Sequence, residues 1–178
     1  MKKQVLFIVL LTGLIAPSLA QTGGNQINIG FDAGGVLNEY YAVQFPAGFG
    51  VSVKGLIGMP MNAQFSLSGN YLYFPIDSDY ILPNGRSISL HQIPVFAGYR
   101  VYRQSFFFEP QLGAVLLITI DNNVVNNFTE KKIQFAFAAE IGYVFNRLEF
   151  SLRYQHSGAS PFHMAFFGAR AAYTIPGF

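Results

Sequence analysis

No cysteine occurs anywhere in the chain, so a disulfide framework, a thiolate metal site and a lipid-modified N-terminal cysteine are all excluded. Tryptophan is also absent. Charge is scarce: Asp, Glu, Lys and Arg make up 11% of the residues, against about 25% in an ordinary soluble domain. A chain this poor in charge has too few ions to cover a water-facing surface. A second long apolar run is missing too, since nothing after residue 20 is apolar for long enough to cross a bilayer as a helix. Phosphate-cradling glycine loops, a nucleophile elbow and a Cys/His framework do not occur either.

The first twenty residues form a unit of their own. Lys2 and Lys3 give a basic start, Val5 to Ala16 is an apolar stretch short for a membrane span, and Ser18-Leu19-Ala20 offers small residues for cleavage. Together they describe a secretory signal peptide over 1–20, with a mature domain of 21–178 beginning at Gln21. Eleven basic residues then fall to nine, which match the nine acidic ones. The mature chain is neutral, so the basic isoelectric point is no argument for nucleic acid.

What remains is rich in aromatics, at 16%, and they recur at every second position. From Lys132 to Phe145, Ile133, Phe135, Phe137, Ala139, Ile141, Tyr143 and Phe145 share one parity, while Gln134, Ala136, Ala138, Glu140 and Gly142 share the other. Side chains of a strand alternate between faces, so this is an apolar face backed by a small and polar one. Seven further runs read the same way: Gln26 to Gly35, Ala47 to Gly58, Asn62 to Phe74, Arg86 to Tyr102, Phe106 to Ile120, Leu148 to His156 and Phe162 to Ile175. In the fourth of the eight, Ile88 and Leu90 lie on one parity and Ile93, Val95 and Ala97 on the other. A β-bulge near His91 and Gln92, beside Pro94, would restore one outward face.

Connections after odd runs are long or polar (Val36 to Pro46, Pro75 to Gly85, Asp121 to Lys131, Ser157 to Pro161), and those after even runs are tight. That asymmetry, with the export signal, predicts an all-β, eight-stranded antiparallel up-and-down transmembrane barrel with short periplasmic turns and longer external loops. The chain closes on Phe178, after Pro176-Gly177. A terminal phenylalanine after an amphipathic strand, with Tyr173 on its outward face, resembles the assembly signal of outer-membrane barrels. The mature chain is similar to the small outer-membrane barrel domain family of OmpA, OmpX and PorT-like proteins, and Leu90-His91-Gln92-Ile93-Pro94-Val95 and Leu152-Arg153-Tyr154-Gln155 resemble stretches of the PorT-like branch. The resemblance implies an outer-membrane location, contact with lipid and lipopolysaccharide, and periplasmic chaperones and the barrel-assembly machinery as partners. A monomer is expected.

The inward faces carry Asp32, Lys54, Glu109, Glu140, Glu149, Arg153 and Arg170. An eight-stranded barrel is just wide enough to be filled by side chains, so these are expected to neutralise one another as a lumenal ion-pair network. A selectivity ring or catalytic carboxylates are the functional alternatives. Tyr71, Tyr73, Tyr99, Tyr102, Phe106, Tyr143, Phe145, Phe150, Tyr154 and Tyr173 read as interfacial girdles. His156-Ser157, with Ser160 and His163, faintly resembles the motif of lipid A deacylase barrels, but the serine follows the histidine directly and no acid lies downstream of Glu149. The three histidines are too scattered to specify a metal, and no cofactor is expected. The chain therefore reads as non-enzymatic. Its activity is expected in external loops, through Tyr40, Tyr41 and Phe45 in the first and Tyr80, with Ile76, Ile81 and Leu82, in the second; the same residues could instead fold over the barrel mouth. A lipid-modifying hydrolase, a small-solute channel and a soluble lipocalin-like carrier are the rival classes.

Overall fold

The computed structural model describes residues 24–77, 87–122, 127–159 and 163–177. The signal segment 1–20, Tyr80, Ile81, Leu82, Ser160 and Phe178 lie outside the described residues. The strands are β1 (Gln26–Val36), β2 (Ala47–Met59), β3 (Ala63–Pro75), β4 (Ser87–Arg103), β5 (Phe106–Asn122), β6 (Asn127–Phe145), β7 (Leu148–Ser157) and β8 (Met164–Pro176), and one short helix, α1 (Glu39–Ala42), sits in the first loop. Each strand pairs antiparallel with the next, and β8 closes onto β1. Closure removes the unpaired edges that an open sheet would present.

Alternation is the physical source of the two surfaces. In β2, Phe49, Val51, Val53 and Ile57 are exposed while Ser52, Lys54 and Leu56 are buried, and β3, β5 and β7 repeat the pattern. The tight ends after β2, β4 and β6 carry non-glycine residues in the left-handed region: Met61 and Asn62, Gln104, and Asn146, with φ of 55 to 65°. Pro176 still pairs with Gln26, so the strand runs into the Pro-Gly pair; Gly177 then turns at φ 73° and gives its N–H to the Asn25 carbonyl.

Two expectations about the fourth strand and its neighbours are corrected. The β3–β4 register is the same at Gly69↔Val95 as at Leu72↔Gln92, and the β4–β5 register is continuous through His91↔Ile118, so no bulge is present. Leu90 faces inward along with Gln92, Pro94 and Phe96. The parity of hydrophobicity changes because the lumen itself turns apolar toward the loops. The segment from Asp121 to Lys131, expected as a loop, is mostly ladder: β5 and β6 stay paired up to Asn122↔Asn127.

The interior has two halves. Nearest the long loops, Val36, Leu72, Phe74, Leu90, Phe96, Val115, Leu117, Met164 and Phe166 pack together with Phe45 from the first loop. The rings of Phe74 and Phe166 meet edge to face at 5.8 Å. They lie where two glycines leave room: a Cβ on Gly48 would strike the Phe74 ring, and one on Gly168 would come within 2.6 Å of Phe166. Nearer the turns the interior is ionic.

Candidate functional site

Among the described residues, eight buried charged side chains face the lumen: Asp32, Glu109, Glu140 and Glu149 against Lys54, Arg100, Arg153 and Arg170. All seven residues expected there are present. Arg100 was missed, although it shares its parity with inward Gly98 and opposes that of outward Tyr99. Its inclusion closes the balance, four negative against four positive.

Glu109 and Glu140 are cross-strand partners on β5 and β6, a pairing of like charges that is unfavourable without a bridging cation. Lys54 supplies it from the other side of the barrel, with its Nζ 3.1 Å from Glu109 and 2.8 Å from Glu140. Arg100 donates through Nε to Glu109 at 2.6 Å and through Nη1 and Nη2 to both oxygens of Glu149 at 2.6 and 3.1 Å. Its guanidinium also lies 3.7 Å over the Phe107 ring, a geometry that favours a cation. Arg170 donates to Glu149 at 2.6 Å and to the Ser52 hydroxyl at 2.9 Å. Arg153 reaches Glu140 at 3.3 Å, while Asp32 stands off at 4.0 Å from Arg153 and, among the described residues, accepts only a 3.4 Å bond from Asn70. Ser66, Gln111, Ser151 and Asn28 donate to the carboxylates. Each of the eight ions has an opposite charge within 4.0 Å, which offsets the cost of burying it.

All but one of the aromatics expected in the girdles have side chains on the outward face. Tyr71, Tyr99, Phe106, Tyr143, Phe145, Phe150 and Tyr154 are exposed on the outward face, and Tyr73 and Tyr173 are partly so. Tyr102 is the exception: it is buried in the lumen, accepts a bond from Arg100 at 3.2 Å and donates to Gln64 at 2.7 Å. Its even number places it with Arg100, which is why it turns inward.

In the first loop Phe45 is likewise corrected, being 3% exposed and part of the apolar cluster. Tyr41 and Ile76 pack against the same cluster, and burial, with Tyr40 and Glu130 nearby, pushes the Tyr41 phenol above its ordinary range. Tyr40 remains exposed beside Leu37 and Val43. The loop is pinned to the start of β8 by Asn38, whose side chain donates to the His163 carbonyl at 2.7 Å and accepts from the Ala165 N–H at 3.0 Å.

His156 and Ser157 do not form a catalytic pair, because consecutive strand residues face opposite ways. His156 stacks outside between Phe137 and His163, at 5.1 and 5.0 Å, and Ser157 is buried inside, donating to the Met164 carbonyl. His91 lies elsewhere, bonded to Tyr71 and Ser89.

No family profile and no curated protein sequence matches the chain. Solved structures do, and the class they define is the small eight-stranded outer-membrane barrel. Ail, the attachment invasion locus protein of Yersinia pestis, is similar over 87% of this chain and 100% of its own, with a TM-score of 0.66 and 13% identity. The N-terminal β-barrel domain of Pseudomonas aeruginosa OprF is similar over 86% and 99%, with 0.63 and 11%, and Neisserial surface protein A over 86% and 97%, with 0.55 and 12%. The likeness is one of fold.

Proposed function

We propose that this chain is an integral outer-membrane β-barrel protein without catalytic activity, serving a structural, adhesive or partner-binding role through its external loops. One observation carries the reading. A closed barrel with a buried ionic layer inside wears a belt of exposed Ile29, Phe31, Val51, Val53, Leu67, Val95, Leu112, Phe135, Ile141, Phe150 and Leu152 outside. In water that belt would be a large apolar patch; in a bilayer it is the lipid contact, and closure leaves no backbone edge unsatisfied in hydrocarbon. A lipocalin-like carrier would need the opposite polarity in the strand bodies. The filled lumen speaks against a permanent wide pore, and the opposed faces of His156 and Ser157 speak against a hydrolase built on them.

On this reading residues 1–20 are cleaved after Ala20, periplasmic chaperones and the assembly machinery insert the barrel, and the protein works as a monomer. Leu37, Tyr40 and Val43 form the exposed apolar group of the first loop and are the contact offered to an external partner. Ail was crystallised with the heparin analogue sucrose octasulfate, which makes a surface polysaccharide one ligand class to screen. The test is cell fractionation of the full chain. Retention in the outer membrane through alkaline carbonate washing, with a gel mobility that shifts on boiling, is the expected result. A soluble periplasmic product would overturn the reading.

A further inference from the structure

On the outward face near the loop end of the barrel, three polar side chains interrupt the apolar belt. His91 of β4 holds Tyr71 of β3 at 2.6 Å through Nδ1 and Ser89 of its own strand at 3.2 Å through Nε2. Tyr73 packs against the same imidazole with ring centroids 5.2 Å apart, and Phe49 packs on Tyr73 at 5.8 Å. Twelve residues of strand separate His91 from Arg103 at the turn end of β4. At about 3.3 Å per residue and a tilt of about 45°, that is roughly one hydrocarbon thickness, about 28 Å. His91 thus stands where the outer leaflet gives way to its headgroups.

We propose that Tyr71, Ser89 and His91, with Lys131, form a proton-dependent site for the phosphate of an anionic headgroup of an outer-leaflet lipid. The inference rests on the membrane-barrel reading above. The hydrogen bonds give it its logic. A neutral imidazole has one N–H and one lone pair, so one of the two hydroxyls spends its proton on the ring. An imidazolium donates from both nitrogens, so Tyr71 and Ser89 both become acceptors, and both hydroxyl protons turn away from the ring. Protonation therefore adds a positive charge and releases a second O–H donor from the ring, and a phosphate oxygen takes both.

The surrounding charges favour an anion. Along one row of the sheet, His91 pairs with Ile118 and Ile118 with Lys131, all on the outward face. Two strand spacings put Lys131 about 10 Å from His91. Around the ring, β3 contributes Tyr71 and Tyr73, β2 contributes Phe49, β4 contributes Ser89 and β5 contributes Ile118. Glu130, Lys132 and Asp121 belong to the opposite parity. Asp77, beyond the end of β3, is tied by its N–H to the Gln44 carbonyl of the first loop. Lipid is the source because the hydroxyls lie on the surface that the belt gives to the bilayer.

The protein, purified from outer membranes in mild detergent, is placed in phosphatidylcholine nanodiscs containing diphosphoryl lipid A, and native mass spectrometry counts the lipid A retained. About five-fold more retention is expected at about pH 5.5 than at about pH 8. His91→Phe abolishes the pH dependence, whereas His156→Phe leaves it intact. Lys131→Gln lowers retention at both pH values and keeps the slope. Retention that is flat with pH, a slope that follows His156, or equal retention of dephosphorylated lipid A overturns the proposal. So does inorganic phosphate that shifts the His91 ring resonances in nanodiscs of phosphatidylcholine alone, which would assign the site to free phosphate. Boiling-sensitive gel mobility of each sample separates the two levels: a protein that inserts and shows no pH response sinks this inference alone, and one that never enters the nanodisc sinks the membrane reading as well.

Discussion

The two halves of the lumen solve one filling problem with opposite materials. Next to the tight turns, Lys54, Arg100, Glu109, Glu140, Glu149 and Arg170 meet as ions at 2.6 to 3.7 Å. Next to the long loops, Leu72, Phe74, Leu90, Leu117, Met164 and Phe166 meet as hydrocarbon. Ion pairs are directional and fail as a group when one member is lost; apolar packing degrades gradually and can relax. The ionic layer sits where strands run into turns only a few residues long, so its geometry is fixed by paired backbone. The apolar layer sits where a loop supplies one of its members, Phe45, and can adjust to it. The ions are thereby shielded on the loop side by side chains that need no exact register.

The comparison breaks most visibly at Glu140, which touches Lys54 at 2.8 Å, Arg153 at 3.3 Å, Arg170 at 3.7 Å and Ser151 at 2.7 Å. Glu140→Ala leaves an uncompensated buried cation, and a loss of about 3 to 5 kcal/mol is expected. The urea midpoint of the barrel in lipid vesicles, followed by gel mobility because the chain has no tryptophan, reads it. Glu140→Met combined with Lys54→Met removes one charge of each sign and should recover most of that loss. If the double change is as damaging as the single one, charge balance is not what holds this half together.

At the other end Phe166→Ala should cost somewhat less, about 3 kcal/mol. Its ring is 2% exposed and rests on Gly168 and on Phe74, yet the first loop can settle into the space. The same variant tests whether the apolar half closes the lumen. Single-channel recordings in a planar bilayer should show conductance rising in Phe166→Ala above a silent parent. An open parent channel would mean that the apolar cluster does not seal the barrel.

How much of this was legible in the sequence differs between the same two regions. The strand count, the tight turns and seven of the eight lumenal ions follow from period-two alternation, because polar residues facing in and apolar residues facing out leave an unmistakable trace. Arg100 carries the same trace, set among Tyr99, Val101 and Tyr102. In the upper half the trace disappears: both faces are apolar, so Ile88 and Leu90 against Ile93 and Val95 suggested a bulge where the ladder runs straight. Phe45 and Tyr102 failed for related reasons. An aromatic in a loop can fold back over a mouth or face outward, and one at a strand end can sit in a girdle or in the lumen; for Tyr102 strict parity with Arg100 decides, while for Phe45 only the tertiary fold does.

Asp32 sharpens the question of what the ionic half responds to. It contributes as much charge as Glu140, but its nearest cation is 4.0 Å away, its bond from Asn70 is long at 3.4 Å, and its Oδ2 has no partner among the described residues. If stability is set by direct, well-formed contacts, Asp32→Asn should cost only about 1 kcal/mol, since a neutral amide also sheds the desolvation cost of a buried carboxylate. If stability is set by the net charge of the sealed layer, Asp32→Asn leaves the same one-charge excess as Glu140→Ala and should be nearly as harmful. Measuring both urea midpoints in one lipid separates these accounts. A small effect at Asp32 beside a large one at Glu140 assigns the strength of the network to its contacts, and equal effects assign it to the balance of four against four.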